Sequence, residues 1–155
     1  MYRRGEGGIR NGVKPFPSDR LATELPATVD APAAARRLVR DRLGAHGLRP
    51  DDDSARAAML VASEMATNAV LHAREPIRLE VDLTQNGVLR LSVFDGDATY
   101  APERRPPAPG EVGGWGVEVV RTLSESWGFG PRPDGVEGKE VWAQLDLERA
   151  GRRFA

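Results

Sequence analysis

The sequence predicts an α/β domain: a two-layer α+β sandwich in which a mixed, mostly antiparallel sheet carries three helices on one face. Two pairs of strand-like stretches predict the sheet. Ile77–Leu83 alternates strictly, and after Asn86-Gly87, a hairpin turn signal, Val88–Phe94 reads as the returning strand. Trp127–Gly130 leads into a further strand, and Val141–Leu147 alternates after a turn at Asp134-Gly135 and Gly138. Three helical stretches with one apolar side each then need a sheet face to cover. At 155 residues, 40% hydrophobic and 29% charged, the chain has the size and balance of one soluble domain.

In chain order, residues 1–20 are rich in Gly and Arg and read as a flexible tail before a domain spanning 21–148. Leu21–Pro26 alternates weakly and fits a short edge strand. Asp30 is placed to cap a first helix, with Pro32 in its first turn and Gly44 or Gly47 at its end. Asp51-Asp52-Asp53-Ser54 opens a second, long helix that runs to about Ala73 and buries Ala57, Leu60, Val61 and Met65 or their neighbours; Pro76 stops it. After the first hairpin, Asp95-Gly96-Asp97 makes a tight acidic turn. Residues 98–112 hold four prolines and no regular structure, and a segment that long in a compact domain is commonly functional or disordered. Gly113-Gly114-Trp115-Gly116 opens a third helix, to about Ser126, with Val117, Val119, Val120 and Leu123 as its apolar side. Residues 149–155 read as an Arg-rich tail.

Composition excludes several functions. A net charge of −1 makes no electrostatic case for a nucleic-acid or membrane partner. The absence of Cys excludes disulfides and thiolate metal sites, and fits a cytoplasmic setting. Two histidines with no ligand spacing between them make a structural zinc site untenable. No apolar run approaches a membrane span, and the N-terminus lacks the apolar core of a signal peptide.

Three clusters carry chemistry. Glu64, Asn68 and His72 recur every four residues on the long helix and so form a shallow stripe on one side of it. Taken alone, the stripe fits either a solvated helix face or the wall of a site. An Asn oxygen suits Mg²⁺, which keeps waters and takes phosphate oxygens as its other ligands. A Glu one turn earlier can accept a proton from a group attacking phosphorus. Asp95 is either a locally satisfied turn residue or, if buried, an acceptor for an exocyclic amine such as that of adenine. The glycines at 113, 114 and 116 are either loop hinges or bare backbone N–H groups at a helix start, where phosphate binds. They match neither the dinucleotide fingerprint nor a P-loop.

In this order, the three clusters resemble the GHKL (Bergerat-fold) ATPases, which include gyrase B, histidine-kinase catalytic domains and anti-sigma-factor serine kinases. Ser63-Glu64-Met65-Ala66-Thr67-Asn68-Ala69-Val70-Leu71-His72-Ala73 is similar to the N-box, Val93-Phe94-Asp95-Gly96 to the first glycine box, and Gly113-Gly114-Trp115-Gly116-Val117 to the second. The resemblance runs from about Leu21 to Leu147 and is closest to the small stand-alone anti-sigma-factor kinases of actinobacteria.

It implies ATP and Mg²⁺ as cofactors, with Asn68 on the metal and Glu64 as catalytic base. It implies His72 near the phosphates and Asp95, with Gly96, at the adenine. Gly113, Gly114, Trp115, Gly116 and Val117 would lie along the phosphates, and 98–112 would form a lid. The implied function is a serine/threonine kinase that phosphorylates an antagonist protein and binds a regulator such as a sigma factor, as a homodimer. Two positions depart from the pattern: Asp97 stands where a Gly is usual, and Trp115 where these kinases often carry Arg. They motivate the alternative of a non-catalytic regulator that sequesters its partner.

Overall fold

The computed structural model describes residues 19–72, 77–84, 86–97 and 116–152. Among these residues, five strands form one sheet: β1 (Asp19–Leu25), β2 (Ile77–Leu83), β3 (Val88–Asp95), β4 (Ser126–Pro131) and β5 (Lys139–Asp146). Their order across the sheet is β1-β2-β3-β5-β4, and every pairing is antiparallel. The helices are α1 (Ala31–Ala45), α2 (Asp53–His72), α3 (Gly116–Leu123) and α4 (Leu147–Arg152).

Alternation decides which sheet face is covered. Ile77, Leu79, Val81 and Leu83 of β2 are all buried, as are Leu89, Leu91 and Val93 of β3 and Ala143 and Leu145 of β5. The register sets them side by side, Leu79 opposite Val93 and Leu91 opposite Ala143, so one face is continuously apolar. The helices cover it. α1 contributes Ala31, Ala35, Val39 and Leu43, each fully buried, at the four-residue spacing of one helix side. α2 contributes mostly small residues: Ala55, Ala57, Ala58, Val61, Ala62, Met65, Ala66 and Ala69. Leu60, expected in the core, is instead 42% exposed, because its direction on α2 lies away from the sheet.

The opposite face carries charges and rings. Arg78 bridges Glu80 at 2.8 Å, and Arg90 reaches Glu140 at 3.1 Å across the Trp142 ring, 4.5 Å from its centroid. Phe94 is only 4% exposed on this face because the guanidinium groups of Arg78 and Arg132 lie over it.

Three terminations differ from expectation. Asp30 precedes α1 but is helical itself (φ −81°, ψ −13°) and makes no side-chain cap. α1 closes at its other end with left-handed Gly47 (φ 85°), and the Leu48 N–H returns to the Leu43 carbonyl at 3.0 Å. Trp127–Gly130 does not lead to a strand but is one, β4. In place of a tail at 149, the chain continues as α4, whose first N–H groups, of Glu148 and Arg149, are accepted by Asp146 Oδ1.

The turn into β5 is sterically exacting. Gly138 adopts φ 140°, and a Cβ there would lie 2.0 Å from the Asp95 carbonyl oxygen. Gly44, inside α1, has nothing within 4 Å of the same atom. Gly138→Ala is therefore expected to lower unfolding free energy by about 2 kcal/mol or more. Gly44→Ala should raise it by roughly 0.5–1 kcal/mol. Urea unfolding of the two variants checks both signs.

Candidate functional site

α2 carries the Glu64/Asn68/His72 cluster and packs on α1, α3, α4 and β3, the strand that Asp95 ends. Helix geometry gives its polar stripe a direction. Seven residues are nearly two turns, so Glu64 lies above Ala57 and Asn68 above Val61, each within about 20°. Ala57 and Val61 are 1% and 0% exposed, yet Glu64 and Asn68 are only half-buried. Rows that enter the core at the start of α2 thus open into a partly solvated space near its end, carrying an acid and an amide into it. Neighbouring polar groups are engaged elsewhere: the Thr67 hydroxyl donates to the Ser63 carbonyl at 2.9 Å, and Ser63 Oγ accepts from Arg36 Nη1 at 2.8 Å.

Partial burial has an electrostatic consequence at Glu64. Desolvation raises its carboxyl above the ordinary value of 4.5. It carries no hydrogen bond among the described residues that would offset this.

Asp95 ends β3 on the covered face and is 1% exposed. Its Oδ1 accepts the Asp97 N–H at 2.8 Å. Its Oδ2 lies 3.5 Å from Lys139 Nζ, an ion pair whose two side chains are 1% and 8% exposed, and makes no hydrogen bond among the described residues. Burial pushes the Asp95 carboxyl above its ordinary 3.8. The Asp97 N–H and Lys139 pull the other way, and the Asp97 charge adds to the rise. The outcome is a buried carboxylate with one oxygen satisfied by backbone and one still able to accept a donor.

The remaining predicted residues divide by position. Gly96 lies in the turn after β3, and Gly116 and Val117 begin α3, which packs beside α2. His72 is the last residue of α2. Gly113, Gly114, Trp115 and the segment 98–112 lie outside the described residues. No group of three or more His, Cys, Asp or Glu among the described residues could hold a metal ion. An ion bound at Asn68 would take most of its ligands from water and phosphate, as Mg²⁺ does.

Sequence reasoning missed Lys139. The available signal was compositional: it is one of two lysines in a chain otherwise furnished with arginine, and it follows a glycine at a strand start. Its pairing with Asp95 exists only through the β3–β5 register, in which the two are opposite.

Residues 25–145 match the family described as histidine kinase-like ATPase domain. The chain belongs to that family. An ATPase domain implies an ATP site, and the open sheet with its helix layer is the corresponding fold. Among solved structures, the RsbU and RsbW domains of Rv1364c from Mycobacterium tuberculosis superpose with a TM-score of 0.58 at 22% identity, over 81% of this chain and 32% of that one. The present chain therefore spans about a third of that protein, and the likeness is one of fold. A histidine kinase domain from the Erythrobacter litoralis EL346 blue-light activated histidine kinase aligns at TM-score 0.45 and 20% identity, over 82% and 67%. No curated protein matches the sequence. Among the described residues, no helix is long and apolar enough to cross a membrane.

Glu64 supplies a test of the site's electrostatics. With its folded value raised, the native state holds a proton that the unfolded chain has lost between pH 4.5 and that raised value. Its contribution to stability therefore declines as pH rises through this window, and above it the full desolvation cost remains. Glu64→Gln is expected to raise the melting temperature at pH 7, by less as pH falls towards 4.5. Thermal unfolding across that range checks the sign.

Proposed function

We propose that this ATPase domain is a Mg²⁺-dependent serine/threonine protein kinase of the anti-sigma type, transferring the γ-phosphoryl group of ATP to a Ser of a small antagonist protein. The observation that carries the reading is Asp95, a buried carboxylate whose Oδ2 awaits a donor in a domain of ATPase type. The stripe on α2 and the fold shared with the RsbU–RsbW structure support it.

Each residue has a task in this reading. Asp95 accepts the exocyclic amine of adenine, and Gly96 lets the chain turn beside the base. Asn68 holds the ion through its side-chain oxygen, with His72 bracing the phosphate end. Gly113, Gly114, Trp115, Gly116 and Val117 line the phosphates at the start of α3, where N–H groups face an anion. Bound Mg²⁺ supplies neutralisation of phosphate charge. Glu64 takes the proton from the acceptor Ser hydroxyl as its oxygen bonds to the γ-phosphorus and the bond to the β-phosphate oxygen breaks, leaving ADP. A carboxylate made more basic by burial suits that task. The working unit is a cytoplasmic homodimer that also binds a sigma factor or similar regulator.

A second reading is favoured by Asp97, which puts an acid beside Asp95 where the family pattern has Gly. In it the domain sequesters its partner, with nucleotide as a structural ligand or absent. Incubation with γ-labelled ATP and the antagonist separates the two: label on the antagonist supports the kinase, and bound nucleotide without label supports the regulator.

Calorimetric titration with ATP is expected to show Mg²⁺-dependent binding, and no heat at millimolar ATP would overturn the reading. Asn68→Ala should remove the dependence on Mg²⁺. Glu64→Ala should leave ATP affinity within about threefold while slowing label transfer by about 10²–10⁴-fold.

A further inference from the structure

We propose that Lys139 is a positioning residue of the base pocket, holding the Asp95 carboxylate in the accepting form and orientation that an exocyclic amine requires. The inference rests on the ATP reading and gives that site a second, buried determinant of base preference. Lys139 Nζ lies 3.5 Å from Asp95 Oδ2, a long contact at the limit of hydrogen-bond distance, so the charge is neutralised while a carboxylate oxygen with two lone pairs keeps room for a second donor. The arrangement is built into the backbone. Asp95 and Lys139 face one another at the last rung of the β3–β5 ladder. Gly138, immediately before, is pressed on the Asp95 carbonyl so closely that only a residue without Cβ fits.

Among the described residues, three charged groups act on Asp95. Asp97, from the following turn, disfavours its charge; Lys139, from β5, favours it; Arg132, after β4, also interacts with Asp95 but is committed to Asp134 at 2.7 Å and to the Phe94 ring. Burial opposes ionisation. Without Lys139 the balance moves towards the neutral acid, and a carboxylic acid presents an O–H donor where the carboxylate presented an acceptor. A donor there no longer favours a 6-amino purine and suits a 6-oxo purine. A buried ion pair is weak evidence of stabilisation, so a function in recognition is the better account of why this lysine is kept inside.

The test uses the full chain as wild type, Lys139→Met and Lys139→Arg, with Lys139→Gln as a second neutral variant should the Met protein not fold. In the absence of nucleotide, the carboxyl ¹³C resonance of Asp95, assigned with Asp95→Asn, is followed against pH. The neutral variants are expected to titrate at a pH about one unit or more above wild type, with Lys139→Arg close to wild type. Calorimetry with ATP and inosine triphosphate, at pH values between the measured Asp95 midpoints of wild type and of the neutral variants, then reads base preference. Wild type and Lys139→Arg should prefer ATP there, and the neutral variants should lose that preference. An unchanged Asp95 titration in the neutral variants, or a shifted titration with ATP preference intact at every pH, overturns the role of Lys139. A shifted titration in proteins none of which binds either nucleotide overturns the ATP reading instead, and the base-pocket role with it.

Discussion

The close seating of α2 is the constraint on which the other features depend. Ala58, Ala62, Ala66 and Ala69 run along one side of it, none more than 5% exposed. Without long side chains there, the helix lies deep enough to touch α1, α3, α4 and β3 together. Larger residues would hold it away from the sheet, since an interior at crystal-like density has no slack. A deep helix carries its flanking rows inward as well, which is why Glu64 and Asn68 are half-buried rather than fully solvated.

That depth has a cost at the site. Glu64 and Asp95 are both less acidic than free carboxylates because burial disfavours their charged forms. The two are treated differently. Asp95 receives a backbone N–H and a buried ammonium, whereas Glu64 has no such support among the described residues. A supported carboxylate suits a fixed acceptor, and an unsupported one suits a group that must change protonation state. The fold thus sets two acids in two electrostatic states.

Much of the architecture was legible where a local pattern and a turn signal agree. β2 and β3 emerge close to their expected limits because β2 alternates strictly and Asn86-Gly87 marks the return into an apolar-rich run, with Gly87 in the left-handed conformation such a turn needs (φ 74°). β4 was harder. Its glycines read as a lead-in, but Gly128 lies opposite Trp142 and a Cβ would come within 2.9 Å of the ring, so this glycine serves packing across the ladder. α4 was obscured by its arginines, since its burial rests on Leu147 and its start on Asp146. Of the candidate site, the α2 stripe and Asp95 are singled out by the order of the three clusters, since neither the spacing nor the position before a glycine decides alone. Lys139 is not singled out, because strand register is a long-range property that no local window contains.

The central claim is that Asp95, at the end of β3, holds adenine and that Asn68, on α2, holds the metal. Its most direct measurement is a crystal structure of the chain grown with Mg²⁺ and a non-hydrolysable ATP analogue. The account predicts the exocyclic amine within hydrogen-bond distance of Asp95 Oδ2 and the Asn68 side-chain oxygen coordinating the ion. Nucleotide bound with its base away from Asp95, or an ion held without Asn68, would contradict it.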